Sequence, residues 1–398
     1  MKTIGTGVIL AAAAGAGAAN FSDDVAFLRK HTDIVVLTDQ AGDAQVAVSP
    51  AWQGRVMTST ATGEPGLSYG WINRELIASG KLQPHINVFG GEDRFWMGPE
   101  GGQFSIFFAK GAKFEFNDWF TPACMDTEPF KLVSQTKSSA KFQQALTLTN
   151  YSGTLFNVKV DREVRLLATR EAWKKMDMPA LSVLKMVAFE TVNKISNTGK
   201  QPWTKDSGLL SVWILGMFNP SPETTIVVPI QSGDDATLGK KVTADYFGQV
   251  PPERLVVKDS VIFFKGDGKY RSKIGVAPKR SRGILGSYDA ANKVLTLAYY
   301  TQPAGVTDYV NSLWKLQEKP FSGDVANSYN DGPVDGGKPL GPFYELESSS
   351  PAAALKPGKA LQHVHTTIHL TGPEEELNLV ARVTLGVTLP EIKTAFPQ

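Results

Sequence analysis

Lys141-Phe142-Gln143-Gln144-Ala145-Leu146-Thr147-Leu148-Thr149 is the stretch that decides the fold class. Gln143, Ala145, Thr147 and Thr149 alternate with Gln144, Leu146 and Leu148. Side chains of a strand point alternately to its two faces, so this period spells a half-buried strand. The same texture extends in both directions. Short β-branched runs at 34–38, 45–48 and 55–59 precede it, with turn chemistry at 40–43 and 49–54. Further strand-like segments fall at 104–108, 113–116, 130–136, 156–167, 181–193, 208–216, 224–229, 256–264, 273–277, 283–289, 294–301, 341–348, 361–370 and 377–389. Helical patterns are short and few, at 21–30, 71–79, 170–176 and 308–316. Many short strands with regular turn signals predict an all-β sandwich or barrel. One large antiparallel sandwich over 20–398 is the economical choice, because no linker, repeat or charge block divides the chain.

The chain has 398 residues and a net charge of +2, enough length for a large core. Acidic and basic residues are interspersed. No basic stripe marks a nucleic-acid partner, so the charge pattern favours a neutral or mildly polar ligand. Lys2 precedes an Ala/Gly-rich apolar stretch at 4–19, and Ala16-Gly17-Ala18 has the small-x-small spacing of a cleavage site. Residues 1–19 are therefore expected to be a signal peptide, and the protein periplasmic or secreted. No later segment is apolar enough to span a membrane. Cys124 is the only cysteine, which excludes an intramolecular disulfide and marks it as a small buried hydrophobe. No Walker loop, strand-borne dinucleotide fingerprint, Gly-x-Ser-x-Gly elbow or His-Glu-x-x-His helix occurs, so no cofactor is expected. Nothing in the sequence sets the oligomeric state.

Residues 84–108 are the most unusual stretch. His85, Glu92, Asp93, Arg94, Glu100 and Gln103 are set among Phe89, Phe95, Trp96, Phe104 and several glycines. A surface loop has no need of those aromatics, and a core strand avoids ionised groups unless they are paired. Two readings stand: a polar site on an apolar scaffold, or a buried ion-pair knot pinning two turns. In the first, His85, Arg94 and Gln103 hold a ligand and Trp96 stacks on it, while Glu92, Asp93 and Glu100 mostly fix Arg94 and the turns.

Three segments together resemble the galactose-mutarotase-like superfamily. Val46-Ala47-Val48-Ser49-Pro50-Ala51-Trp52-Gln53-Gly54-Arg55-Val56 looks like its opening hairpin. The stretch with Gly90-Gly91, Arg94, Trp96 and Pro99-Glu100 is the second. Gly341-Pro342-Phe343-Tyr344-Glu345-Leu346-Glu347-Ser348, followed by Leu355-Lys356-Pro357-Gly358, is similar to the late strand that presents the family's catalytic glutamate. The resemblance implies a large antiparallel β-supersandwich with few short helices. It also implies a small sugar or oligosaccharide as partner, and aldose epimerase-like acid–base chemistry on the concave face of a sheet. Glu345 or Glu347 aligns with the family base. His85 lies near an early substrate-binding histidine. The family's mid-chain histidine has no counterpart, because none occurs between His85 and His363.

His363, His365 and His369 share one face of a strand with Thr367, opposite Val364, Ile368 and Leu370. Three readings fit: a polar acid–base face in which His363 or His365 stands in for the missing histidine, a metal site with Glu345 or Glu347, or a solvated strand face. No second short-spaced ligand cluster supports metal, and none is expected. Asn327, Tyr329, Asn330 and Asp331 lie in a Gly/Pro/Asn-rich segment at 319–342 that reads as a long loop, either sugar-binding or an elaborate turn. Trp96 and Trp314, with polar neighbours, are the better stacking candidates, whereas Trp213 reads as core. Lys273, Lys279, Arg280 and Arg282 read as a solvated basic hairpin. A non-catalytic glycan-binding protein and an oligosaccharide hydrolase or lyase remain alternatives to the epimerase.

Overall fold

The computed structural model describes residues 20–333 and 337–396, so the expected signal peptide lies outside the described residues. Its strands form three antiparallel sheets. The largest has ten strands, in the order Leu255–Val257, Val261–Lys265, Thr224–Pro229, Ile284–Asp289, Val294–Tyr300, Ala360–Thr371, Lys185–Asn197, Leu155–Leu166, Ser139–Thr149 and Lys131–Gln135. A five-stranded sheet runs Ser272–Val276, Ala326–Asn330, Tyr344–Ser349, Ser211–Phe218 and Arg94–Gly98. The third is Val35–Thr38, Gln45–Ser49 and Arg55–Thr60. This is the expected all-β antiparallel sandwich, with few short helices.

Alternation decides what each sheet buries. The strand 139–149 turns Ala140, Phe142, Leu146 and Leu148 inward. They pack with Val46, Val48 and Val56 of the three-stranded sheet and with Phe95, Val212 and Ile214 of the five-stranded one. Both smaller sheets thus cover one face of the large sheet. The other face carries Val227, Phe263, Leu295, Leu297, Ile368 and Leu370, and is closed by Leu377, Val380, Ala381, Leu389 and Ile392 from two C-terminal helices. Burying a side chain of this size contributes about 1.5–3 kcal/mol, so these two layers dominate cohesion.

Several local expectations change. Residues 377–389 do not form a strand: Glu374–Thr384 and Leu389–Lys393 are helices. Pro373 opens the first, three glutamates sit in its first turn against the positive end of the helix dipole, and Thr388 and Glu391 make a capping box for the second. Residues 308–316 form no helix, and 104–108 and 113–116 form no strand. The segment at 319–342 is not one long loop, because Ala326–Asn330 pairs with both Ser272–Val276 and Tyr344–Ser349. Cys124 is buried in the main core, which pushes its thiol up to about 12.

Candidate functional site

Across the five-stranded sheet, Lys273 faces Tyr329 and Tyr329 faces Glu345. One step along, Asn327 faces Glu347, Glu347 faces Leu215, and Leu215 faces Arg94. Trp213 lies opposite Trp96. By alternation all these side chains share the outer face of the sheet, away from the large sheet. Glu345 and Glu347, two positions apart, are neighbours there, as the sequence predicts.

The charges on this face are held in pairs. Arg94 Nη2 donates to Glu345 Oε1. Lys273 Nζ and Trp213 Nε1 both donate to Glu347 Oε2, each at 2.9 Å. Lys273 also lies 4.8 Å from the centre of the Trp213 ring and Arg94 5.2 Å from that of Trp96. Glu347 is fully buried and the Lys273 side chain is 11% exposed. Burial raises Glu345 to about 8; Arg94 opposes the shift and Glu347 adds to it. Burial likewise raises Glu100 to about 7, with Glu347 adding and Lys273, Trp314 and Arg271 opposing. Lys273 is raised too: burial disfavours its charge, but Glu347, Glu100 and Glu345 outweigh that cost. The face thus carries carboxyls able to exchange protons near neutral pH, beside two fixed cations.

Three polar atoms here have no hydrogen-bond partner among the described residues: Glu347 Oε1, Arg94 Nε and Trp96 Nε1. An acceptor and two donors, buried and unused, are a set that a hydroxyl-bearing ligand satisfies. Tyr246 and Phe247 lie over the cluster. The Tyr246 hydroxyl accepts from Asn327 at 3.1 Å and donates to Asp324 at 2.5 Å, and Phe247 stands edge-on to Tyr329 at 5.9 Å.

The other expected site residues are distributed elsewhere. His363 and His365 lie between the two sheets, where Ser348 Oγ contacts His363 Nε2 and His365 Nδ1 at 2.8 Å each. Ser348 follows Glu347 and so points to the opposite face, which puts the five-stranded sheet between these imidazoles and the glutamates. The histidine face is therefore not solvated. Burial lowers His363 to about 3 and His365 to about 4, so both are neutral. His369 is also interior: Nε2 meets Glu92 Oε2 at 2.9 Å, Nδ1 meets Thr296 Oγ1 at 2.8 Å, and Tyr69 stacks on the ring. Glu92 further accepts from Ser59 N and Oγ.

Asp93 bonds Arg162 at 2.7 Å and Thr191 at 2.8 Å, and all three are buried. Asp93 with Arg162 is thus the buried ion pair, and Glu92 sits in a hydrogen-bonded cluster with Ser59 and His369; they tie strands together and do not fix Arg94. His85 packs between Phe116 and Phe120 and bonds the carbonyl of Trp119 at 2.6 Å. Gln103 ties its loop to Gln317. Tyr329 donates to Asp331 Oδ1 at 2.7 Å, Gly341 N to Asp331 Oδ2 at 2.9 Å, and Asn330 accepts from Gly268 N and donates to the Tyr270 carbonyl. Among the described residues no group of three or more His, Cys, Asp or Glu side chains is arranged to hold a metal.

Sequence reasoning missed Lys273, Tyr246 and Arg271; Trp213, expected in the core, is buried in the main cluster and also bonds Glu347. Lys273 is no part of a solvated hairpin, and Arg280 is buried against the carbonyls of Gln231, Gly233 and Gly239. The available signal for Lys273 was its alternation with Ile274 and Val276 on a strand.

No curated protein matches the chain. The chain is similar to solved structures at low identity. A galactose mutarotase-like protein from Lactobacillus casei is 8% identical, with a TM-score of 0.49 over 85% of this chain and 100% of that one. The Slr1438 protein from Synechocystis is 12% identical, with a TM-score of 0.49 over 86% and 96%. A galactose mutarotase related enzyme from Lactobacillus acidophilus is 11% identical, with a TM-score of 0.46 over 85% and 97%. The model of DUF6786, a family of unknown function, matches residues 19–396, and the chain belongs to that family.

Proposed function

We propose that this protein binds a carbohydrate on the outer face of the five-stranded sheet and exchanges protons with it, as an aldose epimerase-type enzyme does. The observation that carries the reading is the juxtaposition of Glu345 and Glu347 with Arg94, Lys273, Trp96 and Trp213 on that face. Opening an aldose ring needs one group to take the proton of the anomeric hydroxyl and another to protonate the ring oxygen. Glu345, raised by burial, and Glu100, raised to about 7, are carboxyls suited to donate or accept near neutral pH. Glu347 is anchored through Oε2 and presents Oε1 to a ligand hydroxyl. Trp96 and Trp213, with Arg94 and Lys273 over their rings, wall the face and hold these cations in place beside the carboxyls.

Polarimetry on freshly dissolved aldoses, with saturation-transfer NMR for binding, tests the reading. Accelerated anomeric exchange that falls at least about a hundredfold in Glu345→Gln is expected for loss of a general acid–base group. The assignment fails if Glu345→Gln and Glu347→Gln both leave the rate unchanged, and the sugar site fails if nothing binds.

One observation favours a second reading, binding without catalysis. None of the five histidines lies at the cluster: His31 packs on Phe27, His85 on Phe116 and Phe120, and the other three are interior. A glycan-binding protein would show saturable binding with no change in anomeric exchange. Export to the periplasm or beyond is part of the same proposal, resting on residues 1–19 alone.

A further inference from the structure

The cations of the candidate site are not equivalent. Arg94 pairs with Glu345, Lys273 with Glu347, and nearby Arg254 with Asp267. Arg271 stands in none of the ion pairs among the described residues, and its Nε is buried without a hydrogen-bond partner. It precedes the strand Ser272–Val276 and has the parity of Lys273, so it belongs to the same outer face. Its guanidinium carbon lies 4.0 Å from the centre of the Phe247 ring. Stacking of this kind fixes the plane of the guanidinium and leaves its N–H edge free for an acceptor. Its charge reaches Glu100, Tyr329 and Asp331, so it borders the carboxylate cluster.

An unpaired, half-buried, plane-fixed guanidinium at the edge of a site is costly unless something anionic meets it. Building on the sugar reading above, we infer that Arg271 is a specificity residue for a sugar bearing a single carboxylate, a uronate. The surroundings favour a monoanion: Arg271 stands in none of the ion pairs among the described residues, while Glu100, Asp331, Glu345 and Glu347 are already close by. A phosphate dianion would carry a second negative charge into that neighbourhood with nothing to balance it. A carboxylate matches the guanidinium fork in both charge and geometry.

Isothermal titration of the full chain with glucuronate, galacturonate, their methyl esters, glucose, galactose and glucose 6-phosphate tests this. The ester removes the negative charge at the cost of one added methyl group, and the Arg271 variants separate the loss of charge from that added bulk. The acid is expected to bind at least about tenfold tighter than its ester, as a charge-assisted pair warrants. Arg271→Gln should bring the acid down to the level of the ester, and Arg271→Lys should restore part of the preference by returning the charge without the fork. Thermal melting of both variants checks that they fold. Equal affinity for acid and ester, retention of the preference in Arg271→Gln, or preference for the phosphate each overturns the inference. If neutral sugars bind as well as uronates, only the role of Arg271 falls and the sugar site stands. If no sugar of any kind binds, both fall.

Discussion

Replacing His363 by glutamine separates an interior histidine from a working acid. In the folded chain His363 is fully buried, is bonded through Nε2 to Ser348, and has its pKa lowered from 6.5 to about 3, first by burial and then by His365. In the unfolded chain it titrates near 6.5. The sign follows directly. Below pH 6.5 the unfolded chain takes up a proton that the folded chain refuses, so stability is lost as pH falls. Between pH 7.5 and pH 5 this one imidazole removes roughly 2 kcal/mol, at about 1.4 kcal/mol per pH unit once the unfolded group is charged. Glutamine is neutral throughout and keeps an amide for Ser348. Its cost relative to wild type at pH 7.5 should therefore shrink by about 2 kcal/mol at pH 5. The comparison between the two proteins matters, because Glu345 and Glu100, whose pKa values are raised on folding, act in the opposite direction and cancel only in the difference. Urea denaturation at the two pH values, with the dependence on urea held common, measures it. A cost independent of pH would show that folded His363 titrates normally. It would then be solvent-linked and available as an acid, and the interior assignment would be wrong.

Other expectations follow from the packing. Asp93→Asn leaves Arg162 charged and buried without its carboxylate, and should cost about 3–5 kcal/mol in urea denaturation; a loss below about 1 kcal/mol would mean that water reaches the pair. Gly90 has φ of 95°, and a Cβ there would meet the Trp71 carbonyl oxygen at 2.1 Å, so Gly90→Ala should lower stability by at least about 2 kcal/mol. Wild-type-like melting would place that backbone elsewhere. Cys124, buried and with its thiol pushed up to about 12, should ignore a thiol reagent in the native protein and react fully in denaturant; rapid native labelling would contradict its burial.

Much of the fold was legible because strand patterning is local. The alternation at 139–149 is both the sequence signal and the observed burial pattern. Where the pattern was ambiguous, tertiary context decided. Leu377, Val380 and Ala381 also fit a helix, and the apolar back of the large sheet selects that form by offering a face to cover. Asn327, Ser328, Tyr329 and Asn330 carry turn chemistry, yet two neighbouring strands supply the ladder partners that make them a strand.

The sequence by itself determined that Glu345 and Glu347 share one side of a strand, and that His363, His365 and His369 share one side of another. Alternation is a property of the backbone and needs no partner. Only the tertiary structure decided which way each side looks. The glutamates face out to Arg94, Lys273 and the indoles, while the histidines face in toward Ser348, Thr296 and Glu92. The reason is the stacking of two sheets: the same strand, Tyr344–Ser349, sends Glu347 to one side and Ser348 to the other, and packing alone settles which side is the core.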